Sequence, residues 1–238
     1  MKKASTIGAV LASLLFTGTA FSYSHVLLLA AIESSSFIKE SEYIFVDPDL
    51  EELEIKRALS AISEGKERIS KTFGSYTANP VIVITGTSES ANKYGLGRFP
   101  AKAFAAPWNQ YVVVNYHVSN IDVITHELMH AQIREILGYW AYQTRIPTWF
   151  DEGVAMQVDY RDHYKIDVLS FPQKEFDRII TLTSPSKFWT DSKEKNINNY
   201  VGAKVAVHQV LEKYPSKSLY SMLLKIRQGQ GFNDVFGG

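Results

Sequence analysis

The sequence predicts an α+β fold, in which a small mixed sheet packs on helices and the C-terminal half is helical. Two observations carry this prediction. Residues 42–117 contain short apolar runs and one long helical pattern, in the order strand–helix–strand–strand. From Ser119 onward the pattern is mostly helical. Strands grouped in one part of the chain and helices in the other are typical of α+β proteins.

The first half contains three predicted strands and two predicted helices. Residues 42–48 (EYIFVDP), 80–87 (PVIVITGT) and 109–117 (NQYVVVNYH) are short runs rich in β-branched and aromatic residues. Residues 49–74 carry apolar residues at helical spacing, acidic residues in the first turn and a glycine at the end. Residues 88–107, with several glycines and prolines, predict a short helix followed by a loop.

Two helices of the second half matter most for function. The first is predicted from Asn120 to Leu137, with Ser119 or Asn120 as its N-cap and Gly138 at its end. Many apolar residues in this helix indicate a central position in the fold: Ile121, Val123, Ile124, Leu128, Met129, Ile133, Ile136 and Leu137. The second lies within residues 146–160 (IPTWFDEGVAMQVDY), with Pro147 in its first turn.

Composition excludes several function classes. The chain has 238 residues, of which 45% are hydrophobic and 21% charged, as in an ordinary globular protein. Basic and acidic residues balance at 25 each, so no net charge favours nucleic acid, and no nucleic-acid partner is expected. The absence of cysteine excludes disulfides, thiolate metal sites and cysteine nucleophiles. Any metal must therefore be held by His, Asp, Glu or water.

The N-terminus predicts export. Lys2 and Lys3 precede a stretch, residues 4–32, that contains no charged Asp, Glu, Lys or Arg. This pattern is typical of a cleaved signal peptide, and the stretch is also long enough to be an uncleaved membrane anchor. Either alternative places the rest of the chain outside the cytoplasm. A third alternative is a buried N-terminal helix of the fold. We therefore predict a signal peptide or anchor over residues 1–32, a linker over 33–41 and one domain over 42–238.

The stretch ITHELMHAQI, residues 124–133, carries the strongest functional signal. His126 and His130 are four residues apart, so they project from one face of the predicted helix. Two imidazoles at this spacing can bind one zinc ion. Glu127 lies one position further round the helix, where its carboxylate can take a proton from a metal-bound water. This is the chemical content of the HExxH motif.

A third ligand is predicted on the second helix. The metzincin class would need glycine at position 133 and histidine at position 136, and both are isoleucine. Glu152 lies in the middle of the second helix, and 21 residues separate it from His130. That length allows the second helix to pack beside the first, with Gly153 and Ala155 permitting a close approach. Two histidines and one glutamate form a common catalytic zinc set.

These two segments together resemble the gluzincin metallopeptidases, and more narrowly the bacterial peptidase MA-like domains. HELMH (126–130) and WFDEGVA (149–155) are the specific parts of the resemblance. It implies a zincin-like active-site helix and hydrolysis of a peptide or protein substrate by zinc-activated water. It also implies that Tyr200 can face the active site and stabilise an oxyanion. In such enzymes the strand beside the site pairs with substrate, which here would be the strand over 109–117.

Several alternatives stay open at this point. The domain could be a catalytically inactive metal-binding or scaffold module attached to a membrane, or the motif could have arisen by chance. Asp151 could orient a ligand histidine or be solvated. The histidines outside the motif are expected to be surface or core residues: His117, His163 and His208. Gly95 and Gly97 lack the context of a phosphate loop and are expected in a loop of the cleft.

Overall fold

The computed structural model describes residues 24–165, 171–214 and 218–237. Its strands form one mixed sheet in the order β1-β2-β3-β5-β4, which confirms the predicted α+β class. β2, β3 and β5 are parallel, and β1 and β4 are antiparallel edge strands. The strands are β1 Ile38–Ser41, β2 Ile44–Val46, β3 Val81–Thr85, β4 Ala101–Ala105 and β5 Gln110–Asn115.

Eleven α-helices occur in the described part of the chain, most of them after the sheet. They are α1 Ser24–Ala30, α2 Glu52–Phe73, α3 Ser88–Lys93, α4 Ile121–Leu137, α5 Tyr139–Arg145, α6 Thr148–Ala155, α7 Gln173–Ile179, α8 Pro185–Phe188, α9 Lys193–Lys213, α10 Leu219–Arg227 and α11 Phe232–Phe236. Short 3-10 turns lie at Ile32–Ser34 and Asp162–Tyr164. The large core fills the space between one face of the sheet and the helical half.

Helix α4 is the centre of this core, as the sequence predicts. It packs on β4 and β5 and also contacts α2, α6 and α10. The Asn120 side chain accepts the N–H of Val123 at 3.0 Å and caps the start of the helix. Gly138 ends it with a φ of 74°, a conformation that favours glycine. Both predicted ends of the helix are therefore confirmed.

Strand β4 was not predicted, because residues 88–107 were expected to end in a loop. Its sequence, AKAFA, contains three alanines, which are depleted in strands. Pairing with β5 over five residues holds it in the sheet, from Ala101 opposite Val114 to Ala105 opposite Gln110. A tertiary contact, rather than local propensity, therefore makes this segment a strand.

The predicted boundaries at the N-terminus are wrong. Residues 33–41 are not a linker, because β1 pairs with β2 and Ile38 lies opposite Val46. Residues 24–32 also belong to the domain, because Val26, Leu29 and Ile32 are buried against the other face of the sheet. Residues 1–23 lie outside the described residues, so the signal peptide or anchor stays a prediction there. None of the described helices is long and apolar enough to cross a membrane.

Candidate metal centre

Three buried side chains from α4 and α6 meet at one point. The Nε2 atoms of His126 and His130 are 3.2 Å apart. Glu152 places one carboxylate oxygen 3.3 Å from Nε2 of His126 and the other 3.7 Å from Nε2 of His130. One ligand atom can be chosen from each of the three residues so that all three atoms lie within 4.8 Å of one another. This group could hold a metal ion.

Two glycines bring the surrounding helices close enough to build the site. A Cβ on Gly65 of α2 would lie 2.8 Å from Oγ1 of Thr125, in the turn of α4 that carries the first histidine. A Cβ on Gly153 of α6 would lie 2.3 Å from the carbonyl oxygen of Ala203. Gly153 therefore permits close packing of α6 on α9, and not on α4 as the sequence analysis expected. Helix α9 holds Glu152 in place from behind.

A second layer of carboxylates orients both imidazoles. The Oδ2 atom of Asp151 is 3.1 Å from Nδ1 of His130, and the Tyr142 hydroxyl donates a hydrogen bond to the same oxygen. Oδ2 of the fully buried Asp159 is 3.5 Å from Nδ1 of His126. Within the described structure neither Nδ1 atom meets the geometry of a full hydrogen bond, so the two contacts are electrostatic. Carboxylates behind ligand histidines fix the ring orientation and leave Nε2 for the metal.

Electrostatics at the site favour a bound cation. Burial opposes ionisation of Glu152, but the neighbouring His130 and His126 outweigh it and lower the pKa of Glu152 to about 2. Burial lowers the pKa of His130, but Asp151 and Glu152 outweigh it and the pKa of His130 is raised. The pKa of His126 is raised in the same way, against burial, by Asp159 and Glu152. The carboxylates thus stabilise positive charge on the two imidazoles, at the place where a metal ion would bind.

The charges of the ligand set and its second layer fit a divalent ion. Asp151, Glu152 and Asp159 contribute three negative charges, and Arg161 contributes one positive charge through hydrogen bonds from Nε to both oxygens of Asp159 at 3.0 Å. With neutral imidazoles, two negative charges remain uncompensated. Buried charge of this size needs a counterion. Two imidazoles and one carboxylate suit zinc and related transition metals.

Glu127 lies in the same cavity but is not one of the three converging ligands. One of its oxygens accepts the backbone N–H of Ala103 at 2.7 Å, and the cavity is lined by both residues and by the ligand set. Ala103 belongs to β4, the edge strand. The strand predicted to face substrate, residues 109–117, contains β5, which is paired on both sides by β3 and β4. That prediction is wrong, and β4 is the strand beside the site.

Tyr200 of α9 also reaches this cavity, as predicted. Its ring centroid is 6.1 Å from that of His126, and its hydroxyl accepts a hydrogen bond from Nε1 of Trp189 at 2.9 Å. Burial raises the pKa of Tyr200, and the charge of Glu152 raises it further. The hydroxyl therefore stays protonated, and because it accepts from Trp189 its own hydrogen remains for another acceptor.

The remaining candidates lie elsewhere. His117 and His208 are partly exposed next to Glu54 and Glu212, and His163 stacks on its neighbour Tyr164. None of them belongs to the metal-binding group found among the described residues. Gly95 and Gly97 have positive φ values of 88° and 55°, and Gly95 packs on His25 of α1. They turn the chain on the far side of the sheet.

The sequence did not predict several residues of the site, and Arg134 and Asp159 are two of them. Arg134 lines the cavity and lies four residues after His130, so the helical spacing that identified the histidines could have identified it. Asp159 left no such signal, because the turn after α6 brings it to His126.

In comparisons with known proteins, no family model matches the chain and no curated protein matches it significantly.

Proposed function

We propose that this protein is a zinc-dependent metallopeptidase of the gluzincin type, which hydrolyses a peptide or protein substrate. The observation that carries the proposal is the convergence of His126, His130 and Glu152 beside the Glu127 carboxylate in one cavity. Two histidines and one glutamate are one of the ligand sets found in catalytic zinc sites, where three protein ligands leave a position for water. The resemblance of HELMH and WFDEGVA to gluzincins is consistent with this assignment.

Glu127 is the general base in this proposal. A zinc ion bound by the three ligands would supply a Lewis acid that polarises a carbonyl and lowers the pKa of water. The hydrogen bond from Ala103 fixes the Glu127 carboxylate at the cavity wall. From there it takes a proton from the attacking water and delivers it to the leaving amine. Asp151 and Asp159 keep the two imidazoles in one orientation throughout.

Tyr200 assists by hydrogen bonding in the transition state. Its hydroxyl is held by Trp189, and its hydrogen is available to an oxygen on which negative charge develops. Replacing Tyr200 by Phe should lower kcat by about 10²-fold with little change in metal binding. Steady-state kinetics on one cleaved peptide, with zinc content measured in parallel, checks this prediction. An unchanged kcat would leave Tyr200 as a packing residue of α9.

The decisive experiment compares wild-type protein with Glu127→Gln. A defined library of synthetic peptides is digested with zinc-loaded protein, and the products are identified by mass spectrometry. We expect cleavage by the wild type and a loss of about 10³-fold in rate for Glu127→Gln, with one zinc retained per chain. Glu64→Gln is the matched control, because Glu64 is exposed on α2 and its nearest cation is Arg68 at 3.9 Å.

The outcomes separate the proposal from its rival, an inactive metal-binding or scaffold module. Cleavage that is equally fast in Glu127→Gln would exclude the proposed mechanism. Zinc binding without any cleavage of the library would favour the inactive module. The predicted export of the chain is tested separately, by locating the expressed protein in cell fractions and sequencing its mature N-terminus.

A further inference from the structure

Arg134 is the one cationic side chain on the ligand face of α4. It follows His126 and His130 at the same four-residue spacing, so it lies about 6 Å further along the helix axis than His130. Its guanidinium stacks on the Tyr142 ring, with Cζ 4.6 Å from the ring centroid. The Tyr142 hydroxyl in turn donates a hydrogen bond to the Asp151 carboxylate. The guanidinium is therefore held in a fixed position beside the metal centre.

The guanidinium has donors that no described residue satisfies. Nε and Nη1 of Arg134 are both buried and lack hydrogen-bond partners within the described part of the chain. No carboxylate there lies within ion-pairing distance of Arg134, although Asp151 and Glu152 line the same cavity. Leaving charged donors buried and unpaired costs free energy, which an anionic ligand would recover.

Arg134 also lies where the metal cavity meets a second cavity. It lines both of them, and the second has a volume of about 320 Å³. Strand β4 runs along both cavities, with Ala101 and Ala103 beside the metal centre and Ala105 beside the second cavity. The 6 Å between His130 and Arg134 corresponds to about two residues of an extended peptide. A chain lying along β4 would therefore pass from the metal centre to Arg134.

We propose that Arg134 binds a carboxylate of the substrate, carried by a residue one or two positions away from the bond that is cleaved. The guanidinium presents donors in a fork that matches a carboxylate. Such a site makes the enzyme selective for acidic peptides or for peptides that end at this point with a free C-terminus. This assignment of substrate class rests on the proposed function.

A binding experiment tests Arg134 without requiring turnover. Dicarboxylates from malonate to adipate, and the monocarboxylates of equal length, are titrated into the zinc-loaded full-length protein by calorimetry. We expect one dicarboxylate to bind about tenfold more tightly than its monocarboxylate, because its second group reaches Arg134. Arg134→Gln and Arg134→Met should both lose this tenfold difference. The methionine keeps an apolar stem over Tyr142 and so protects the fold.

Arg227→Gln is the control, because Arg227 donates to the carbonyl of Ile136 at 3.2 Å, at the end of the same helix, and lines neither cavity. The titration is repeated on metal-free protein with propionate, where binding that depends on Arg134 is again expected. Affinities that are the same in the wild type and both Arg134 variants, with unchanged unfolding midpoints, overturn the proposal. Because the metal-free protein is titrated as well as the zinc-loaded protein, the experiment tests Arg134 even if zinc does not bind.

A peptide digest then identifies the source of the carboxylate. Each library peptide is prepared with a free C-terminus and as its C-terminal amide. Cleavage that requires the free C-terminus assigns a terminal carboxylate, and cleavage that requires Asp or Glu near the bond assigns a side chain. Equal preferences in wild type and Arg134→Gln overturn the carboxylate proposal while peptidase activity stands. No cleavage by the wild type contradicts the proposed function, and the titration still decides the role of Arg134.

Discussion

Two sets of buried polar side chains lie on different sides of helix α4, and their hydrogen bonding differs. One is Gln132 alone, and the other is the cluster of His126, His130 and Glu152. Oε1 of Gln132 accepts the N–H groups of Thr77 and Ala78 at 2.8 and 3.0 Å, and Nε2 donates to Oγ1 of Thr77 at 3.1 Å. In the cluster, the ligand atoms of all three residues point at one another, and Oε2 of Glu152 has no hydrogen-bond partner.

This difference distinguishes a structural polar group from a binding group. Gln132 needs nothing beyond the chain, because it joins α4 to the segment that precedes β3. The cluster contains mutually facing acceptors and, with neutral imidazoles, an excess of negative charge that the described side chains do not compensate. A helix can therefore carry equally buried polar residues for two reasons, and the direction of their hydrogen bonds tells which reason applies.

Removing one ligand gives the largest expected effect. His130→Ala and Glu152→Ala should abolish binding of one zinc per chain, because two protein ligands do not complete the site. Gln132→Ala should keep full zinc content. Elemental analysis after dialysis against a weak chelator measures all three. Zinc retained in Glu152→Ala would mean that the third ligand is another residue, and zinc absent from folded wild type would contradict the metal site.

Gln132→Ala should instead act on stability. It leaves the buried N–H of Ala78 and the more exposed N–H of Thr77 without their acceptor, which we expect to lower the free energy of unfolding by about 2 kcal/mol. Urea denaturation in the presence of excess chelator measures this, so that metal binding does not contribute. Gln173→Ala is the control, because Gln173 is exposed on α7 and bonds only to Asp177 within the described structure. A loss below about 0.5 kcal/mol would show that water replaces the amide.

The fold was predictable where local chemistry decides it. Asn120 and Gly138 fix the ends of α4 through capping and a positive φ, and both are visible in the sequence. β4 and the N-terminal segment were missed, because their structure depends on partners far along the chain. The alanines of β4 are stabilised by pairing with β5, and Val26 and Leu29 of α1 are buried only because the sheet offers a second apolar face.

The residues of the candidate site also fall into those that the sequence could indicate and those that it could not. The ligand histidines and Arg134 share one helix, so their common face follows from a spacing of four residues. Asp159 is brought to His126 by a turn that Arg68 stabilises, since Nη1 of Arg68 donates to the Val158 carbonyl at 3.1 Å. Such a long-range contact leaves no mark at the level of spacing. The second layer of the site is therefore visible only in three dimensions.

Asp159 gives the smallest and sharpest test, because it belongs to both classes of polar group. Arg161 satisfies its carboxylate as fully as the chain satisfies Gln132, and the same carboxylate lies 3.5 Å from Nδ1 of His126. Asp159→Asn should weaken zinc binding by about 10- to 100-fold while one zinc still binds at saturation, because the imidazole loses its charged partner. Competition with a chromogenic chelator measures the affinity.

The matched variant for this test is Asp162→Asn. Asp162 lies three residues further along the chain, is exposed, pairs with Lys165 and is not among the groups around the two histidines. Its zinc affinity should stay within about twofold of the wild type, because an exposed ion pair has little influence at a distance. If Asp159→Asn binds zinc as tightly as Asp162→Asn, then Asp159 serves Arg161 alone. Asp159 would then be a structural polar group like Gln132, and the orientation of the His126 ring would depend on its packing in α4.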